Sequence, residues 1–250
     1  MKTDIILHLA LSATLALPLG AYAAQYQLTS PDSKTVVTVS DDNGLPVYTL
    51  AYDGKEFLKS SPLGLKTNIG DYTSGLVMSS SQAPESVRDA YSLPNIKKSS
   101  VEYNANRGVM TFSKDSKPVF DLIMQVSDNN VAMRYRLLPQ GETLCCVIDS
   151  EATGFAMPDG TTTFLCPQST PMTGFARTAP SYETNYTLDD TTGKNGWGVG
   201  YSFPCLFRNG DNGWMLISET GIAGNYCGAH LTGKDNGVYE IAYAQPGEQN

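Results

Sequence analysis

Residues 121–136, DLIMQVSDNNVAMRYR, contain the clearest β-hairpin pattern of the chain. Two apolar runs flank the polar tetrapeptide SDNN, which is typical of a tight turn between antiparallel strands. Successive side chains of a strand point to opposite faces, so Arg134 and Arg136 share one face while Met133 and Tyr135 share the other. We interpret the arginine face as exposed to solvent and the opposite face as part of the core.

The same alternation continues on both sides of this hairpin. Short β-branched or aromatic runs recur every ~8 to 12 residues with turn sequences between them, which is typical of sandwiches and barrels. Within this pattern we interpret the polar segment 79–95 as a loop and the triplet 106–108 as a turn. The runs that carry the prediction are 34–40, 45–52, 99–103, 109–112, 198–203, 213–218 and 238–244. The sequence therefore predicts an all-β fold of antiparallel strands.

One long segment lacks this alternation. Residues 169–187, STPMTGFARTAPSYETNYT, are rich in Pro, Thr, Ser and Gly and place Glu183 between Tyr182 and Tyr186. Ordered loops of this length inside compact domains are uncommon and are often functional. A loop glutamate is more often only a solvated surface charge, but we expect Glu183 to be the working residue of a site loop.

Charge and hydropathy restrict the location and the partners of the protein. The formal net charge is −8, so we expect no binding of nucleic acid, which requires clustered basic residues. Residues 1–23 combine Lys2, an apolar run and the small-residue sequence Ala21-Tyr22-Ala23-Ala24, which indicates a secretory signal peptide. The run is shorter than the ~20 residues of a membrane span. We therefore expect no membrane span and an exported domain, 24–250, in the periplasm or outside the cell.

The residues available for chemistry are few. The five cysteines permit one or two disulfides or buried thiols, and His230 is the only histidine after the signal peptide. Glu151, Glu183 and Glu219 are candidates for the two carboxyl groups that glycoside hydrolysis requires. Nucleophile-elbow, zinc-helix, phosphate-loop and dinucleotide motifs are missing from the sequence. We expect Trp197 and Trp214, at junctions between loops and strands, to anchor the core.

Six segments in order resemble the amino-terminal domain of glycoside hydrolase family 97. They are 30–39 (SPDSKTVVTV), 61–65 (SPLGL), 131–136 (VAMRYR), 151–155 (EATGF), 180–183 (PSYE) and 217–226 (ISETGIAGNY). The resemblance implies a large antiparallel β-sandwich of the galactose-mutarotase-like supersandwich type. In full-length family members a catalytic (β/α)8 barrel and a small β domain follow it.

The resemblance also implies a role for the loop. In the family, the barrel holds the catalytic residues, and the amino-terminal domain donates one glutamate to an active-site calcium ion. Glu183, in Ser-Tyr-Glu, matches that metal ligand, and we expect Tyr182 to contact the substrate. The barrel is absent from this chain, so we expect no catalytic residue here. The parent enzyme is expected to cleave α-linked oligosaccharides, namely α-glucosides or α-galactosides.

Two other functions are compatible with the same residues. A mutarotase-like sugar epimerase shares the sandwich type, but such enzymes typically use histidine as an acid, and His230 stands alone. A stand-alone carbohydrate-binding module also fits an acidic, exported β domain. Continuation of the reading frame into a barrel is the observation that separates these alternatives.

Overall fold

A computed structural model describes residues 23–142, 145–168, 186–196, 199–222, 227–234 and 237–244. In these ranges the chain is built from antiparallel strands with two short 3₁₀ turns, Asp42–Gly44 and Gly210–Asn212. None of the described segments forms a helix long and apolar enough to cross a membrane. The predicted all-β fold is confirmed.

Eleven strands form the first half of the described chain. They are β1 Gln25–Thr29, β2 Thr35–Ser40, β3 Val47–Tyr52, β4 Lys55–Pro62, β5 Leu65–Thr67, β6 Gly70–Tyr72, β7 Leu76–Ser81, β8 Glu85–Ser92, β9 Ser100–Lys114, β10 Lys117–Ser127 and β11 Asn130–Leu137. Strands β1 to β4 form a four-stranded antiparallel sheet in chain order. The two strand-like runs 34–40 and 45–52 of the sequence analysis pair here as the antiparallel strands β2 and β3.

The hairpin that opened the sequence analysis is β10–β11, paired from Phe120 with Leu137 to Ser127 with Asn130. It belongs to a five-stranded sheet in the order β11-β10-β9-β7, with β8 also paired to β9. Along β11 the residues alternate between exposed and half-buried, and Arg134 and Arg136 lie on the exposed side. The prediction of a solvent-exposed arginine face is confirmed.

Two predictions in this sheet are wrong. The segment 79–95, predicted to be a loop, contributes the end of β7 and all of β8, because the long strand β9 offers both of them a pairing edge. The predicted turn at 106–108 is instead the middle of β9. Gly108 serves close packing there: a Cβ at this position would lie 2.7 Å from a ring carbon of Tyr26. The Asn106 side chain donates a hydrogen bond to the Thr29 carbonyl at 2.8 Å.

The second half of the described chain adds eight strands. They are β12 Ile148–Glu151, β13 Gly154–Ala156, β14 Thr162–Pro167, β15 Asp190–Thr191, β16 Tyr201–Arg208, β17 Trp214–Ile217, β18 Ala229–Gly233 and β19 Val238–Tyr243. Strand β12 pairs with β5 in a small sheet, β12-β5-β6. The others form a seven-stranded sheet in the order β13-β19-β18-β16-β14-β15, with β17 paired to β16.

One apolar core joins the sheets. Its largest fully buried side chains include Tyr48, Phe112, Phe120, Phe207 and Tyr239, which come from the first sheet, the five-stranded sheet and the seven-stranded sheet. Rings meet edge to face, as between Phe207 and Tyr239, whose centroids lie 5.0 Å apart, a geometry that aromatic quadrupoles favour. This shared core confirms the predicted large β-sandwich.

Met133 and Tyr135 pack against this core, as the alternation predicts. The Tyr135 hydroxyl accepts a hydrogen bond from the Gly64 backbone N–H at 2.9 Å and lies 2.7 Å from the Thr153 hydroxyl. Burial raises the pKa of Tyr135 well above its ordinary value. Tyr135 therefore links β11 to the turns before β5 and β13 through neutral hydrogen bonds.

Candidate functional site

The loop predicted to carry the site begins and ends beside strand β14. At the start, Gln168 follows β14 directly and donates its backbone N–H to the Gly200 carbonyl at 2.8 Å. At the end, the Tyr186 ring stacks on Phe164 of β14, with centroids 4.8 Å apart and ring planes 25° apart. Tyr182 and Glu183, the predicted site residues, lie in the segment 169–185, outside the described residues.

Phe164 belongs to an apolar row that crosses three strands. In the register of the sheet, Phe164 of β14 pairs with Leu206 of β16, and Leu206 pairs with Leu216 of β17. Their neighbours Leu165, Cys205 and Ile217 are buried on the inner side, so the row itself lies on the outer face of the sheet. Leu216 is 62% exposed and Phe164 is 36% exposed. We call Phe164, Leu206 and Leu216 the apolar row.

Two further apolar side chains near these strands are exposed. Leu188, two residues after the stacked Tyr186, is 70% exposed. Trp214 begins β17 beside the apolar row and is 54% exposed. Exposed apolar patches that exceed scattered single residues mark interaction sites on folded proteins.

The prediction that Trp214 anchors the core is wrong. Trp214 pairs with Arg208 across β16 and β17, and its ring faces outward with the Arg208 guanidinium carbon 5.7 Å from the ring centroid. Ile217, at the other end of β17, supplies the buried side chain of this strand instead. Arg208 also lies 3.5 Å from a carboxylate oxygen of Asp189. Trp197 lies outside the described residues.

Tyr186 has a second contact beneath its stack. A hydrogen bond with the Cys166 side chain raises the pKa of Tyr186, and partial burial adds to the effect. The phenol therefore stays neutral at physiological pH. Ring stacking on Phe164 and this hydrogen bond fix the returning end of the loop to β14.

The other candidate carboxylates are held by the fold. Glu151 accepts a hydrogen bond from the Tyr243 hydroxyl at 3.0 Å, and burial followed by the charge of Glu151 raises the pKa of Tyr243. Both carboxylate oxygens of Glu219 accept from the Ala229 backbone N–H, at 3.1 and 3.2 Å. These contacts give Glu151 and Glu219 structural partners within the chain.

Metal-ligating and redox residues are dispersed in the part of the chain that the structure describes. No group of three His, Cys, Asp or Glu side chains close enough to hold a metal ion occurs there. All five cysteines lie in described ranges, and no disulfide joins them. Of the two alternatives left open by the sequence, buried thiols apply to Cys166 and Cys205, whereas Cys145 and Cys227 are exposed.

His230 is a core residue. Its side chain is 4% exposed in β18, and its Nε2 atom lies 3.0 Å from the Val199 carbonyl oxygen. Gly200 packs so closely here that a Cβ would lie 2.9 Å from the imidazole ring. A ring enclosed in this way has no access to a substrate, which counts against histidine-dependent sugar epimerisation.

Comparison with known proteins places this geometry in a family. Residues 28–246 match the family described as the Glycosyl-hydrolase 97 N-terminal domain. This chain belongs to glycoside hydrolase family 97. The resemblance found in the six sequence segments is thereby confirmed.

Three relatives show how much of a family member the chain covers. A crystal structure of a beta-arabinopyranosidase superposes with a TM-score of 0.84 at 40% identity, over 89% of this chain and 36% of that one. A family 97 enzyme from Pseudoalteromonas sp. strain K8, solved with panose, superposes with a TM-score of 0.72 at 19% identity, over 87% and 32%. The probable retaining alpha-galactosidase of Streptomyces bingchenggensis strain BCW-1 is 25% identical in an alignment of 236 residues that covers 90% of this chain and 34% of that protein.

The chain thus spans about a third of the length of these relatives.

Sequence reasoning missed the apolar row, although a signal was present. The runs 164–166 (FLC) and 214–217 (WMLI) are apolar at consecutive positions, and such runs indicate strands with two apolar faces. One face of each run supplies the core, and the other forms the apolar row.

Proposed function

We propose that this chain is the amino-terminal domain of an exported, calcium-dependent glycoside hydrolase and that the apolar row is its docking face for the catalytic domain. The observation that carries the proposal is the position of the row. Phe164 of the row lies in β14, which directly precedes the Glu183 loop, and Tyr186 stacks on Phe164 where the chain returns. A domain seated on the apolar row would therefore receive this loop at its edge.

The docking role follows from the exposed apolar surface. Burying a leucine side chain contributes about 1.5–3 kcal/mol relative to leaving it exposed. Phe164, Leu216, Leu188 and Trp214 are all exposed in the chain alone. Aromatic and large apolar side chains at the centre of a patch are typical of interface cores. The catalytic (β/α)8 barrel of the parent enzyme is the proposed occupant.

The metal role rests on Glu183. Glu183 precedes Tyr186 by three residues, which limits the distance between their Cα atoms to about 11 Å. Calcium takes six to eight oxygen ligands in total, and carboxylates are among the strongest. One glutamate is a partial ligand set, so the catalytic domain must supply the others. In this arrangement Glu183 binds calcium only when the two domains are together, and Tyr182 lies next to it for contact with the sugar.

The chain itself then has no catalytic residue, and the chemistry belongs to the docked domain. Calcium, when bound, would stabilise negative charge at the active site. This domain would hold one metal ligand in place and exclude water along the docking face. Its anchors at Phe164 and Cys166 would keep the returning loop end in position.

The proposed substrate is an α-glucoside or an α-galactoside. The curated relative is named an alpha-galactosidase, and the 40% identical relative is named a beta-arabinopyranosidase. A β-L-arabinopyranoside and an α-D-galactopyranoside have the same ring configuration and differ only by the hydroxymethyl group of galactose. These names favour the galactoside-type ring over the glucoside for the parent enzyme.

Calcium titration of the full-length parent enzyme tests the proposal. Glu183→Gln replaces a charged ligand by a neutral amide, so we expect at least about tenfold more calcium for half-maximal activity. Glu56→Gln, at an exposed position of β4, is the matched control and should leave the titration unchanged. Identical calcium titrations for wild type and Glu183→Gln would remove Glu183 from the metal site.

A further inference from the structure

Asp41 is a buried carboxylate at the end of the β2 strand. It is 7% exposed, and each of its oxygens accepts one backbone hydrogen bond. Oδ1 accepts from the Ala24 nitrogen at 2.6 Å, and Oδ2 accepts from the Met78 nitrogen at 2.9 Å. Asp41 therefore ties the residue before β1 to the strand β7 of another sheet.

This carboxylate has no cationic partner among the described residues. The ion pairs found there involve other acidic side chains, and both donors to Asp41 are neutral amides. Buried charges in proteins are normally paired, because removing a charge from water is costly. The described residues thus give the Asp41 carboxylate two amide donors and no positively charged partner.

The nitrogen nearest to Asp41 belongs to a residue at the predicted leader boundary. The sequence Ala21-Tyr22-Ala23 has the small-x-small pattern that leader peptidases cut after. Ala23 is exposed and Ala24 is half-buried, and β1 begins one residue later at Gln25. A cut after Ala24 would place Tyr22 at the first small-residue position and would remove the nitrogen that bonds to Asp41.

We infer that the leader is cut between Ala23 and Ala24 and that the new α-ammonium group of Ala24 becomes the counter-ion of Asp41. This inference rests on the proposed export. Hydrolysis of the bond consumes one water: its oxygen joins the Ala23 carbonyl carbon as a carboxylate, and the Ala24 nitrogen leaves as an amine that is protonated at neutral pH. The neutral donor at 2.6 Å from Asp41 thereby becomes a cation.

The ion pair would make processing a stabilising step. A cationic donor adds direct attraction between opposite charges, which an amide donor to the same carboxylate lacks. An ammonium also carries three N–H bonds where the amide carries one, so it can bond Asp41 and solvent together. The leader-free chain would then close its first sheet onto β7 more firmly than any chain with a residue before Ala24.

Two measurements test this inference. The first is the intact mass of the full chain after export from a bacterial host with its own leader, and we expect a product that begins at Ala24. The second compares chains that begin at Ala24 and at Ala23, each released from a fusion by a protease that leaves no extra residue. We expect the folding equilibrium constant in urea to be about tenfold higher for the Ala24 chain.

Asp41→Asn in both chains completes a double-mutant cycle. It should remove most of the difference in folding equilibrium constant between the Ala24 and Ala23 chains. The comparison of the two Asp41 chains does not depend on whether this variant folds. A product that begins at Gln25 would overturn the cleavage site, and equal stability of the Ala24 and Ala23 chains would overturn the ion pair. Retention of an uncut leader would contradict the proposed export, while the two released chains would still decide the ion pair.

Discussion

The outer faces of the two largest sheets differ in how they satisfy their side chains. On the five-stranded sheet, Arg136 donates from Nε and Nη2 to one oxygen of Asp121, at 2.8 and 2.6 Å. The Thr111 hydroxyl donates to the other oxygen at 2.7 Å. On the seven-stranded sheet, the apolar row presents Phe164 and Leu216 to the exterior.

The outer face of the five-stranded sheet is suited to solvent, whereas the outer face of the seven-stranded sheet is suited to contact with a partner. Charged groups on the first face complete their hydrogen bonds within the chain, so water can cover the rest. Apolar groups on the second face gain nothing from water and gain most when another protein covers them. The second face carries Phe164, on which Tyr186 stacks directly after the segment 169–185, which is why we assign the docking role to it.

Thiol labelling of Cys205, which lies beneath the apolar row, tests whether the seven-stranded sheet stays closed. Cys205 lies in β16 next to Leu206 but is fully buried, and desolvation raises the pKa of Cys205 to about 12. At pH 8 we expect alkylation of Cys205 to be about a thousandfold or more slower than that of exposed Cys145 and Cys227. The rates are measured by mass spectrometry of labelled peptides.

The cysteines should react at similar rates once urea has unfolded the chain, which controls for reagent preference. Because the Cys205 thiolate forms only far above physiological pH, its labelling should remain slow up to about pH 9. Fast native labelling of Cys205 would mean that the seven-stranded sheet opens, and the apolar row would then be no fixed surface.

Substitution on the five-stranded sheet should affect stability alone. Asp121→Ala removes a buried acceptor of both Thr111 and Arg136, and we expect a loss of about 2 kcal/mol in the free energy of unfolding. This figure is below the roughly 3–5 kcal/mol expected for a fully buried ion pair because the Arg136 side chain is 58% exposed. Urea unfolding of the purified chain measures it.

Arg134→Ala is the matched control on the same face. Arg134 is exposed, so its loss should change the free energy of unfolding by less than about 0.5 kcal/mol. Equal losses of unfolding free energy for Asp121→Ala and Arg134→Ala would show that the cluster of Asp121, Thr111 and Arg136 makes no special contribution. The proposed contrast between the two faces would then be wrong for the five-stranded sheet.

The fold was predictable wherever local patterns agree with tertiary pairing. The β10–β11 hairpin has alternation and turn residues that point to the same register, and the structure has it. The strand β8 was not predictable, because its residues are almost all exposed and lack an apolar face. Its pairing depends on the length of β9, which continues through residues 106–108, where Gly108 packs against Tyr26.

The candidate site was predictable only in part. Amino-acid composition and loop length pointed to the segment around Glu183 and Tyr182. The order of the motifs pointed to the family that the comparisons confirm. The apolar row depends on the register of β14, β16 and β17, which are separated by long connections. Trp214 illustrates the limit: an isolated aromatic at the start of a strand gives no sign of which face it takes.

The affinity of this chain for the catalytic domain of the proposed parent tests the account most directly. With the two parts expressed as separate polypeptides and titrated by calorimetry, Leu216→Asp should weaken binding at least about tenfold, because it loses apolar burial and buries a charge. Its urea unfolding should stay close to wild type, since Leu216 is 62% exposed. Arg134→Asp, on the other face, should bind like wild type. Equal affinities for wild type and Leu216→Asp would contradict the docking role of the apolar row.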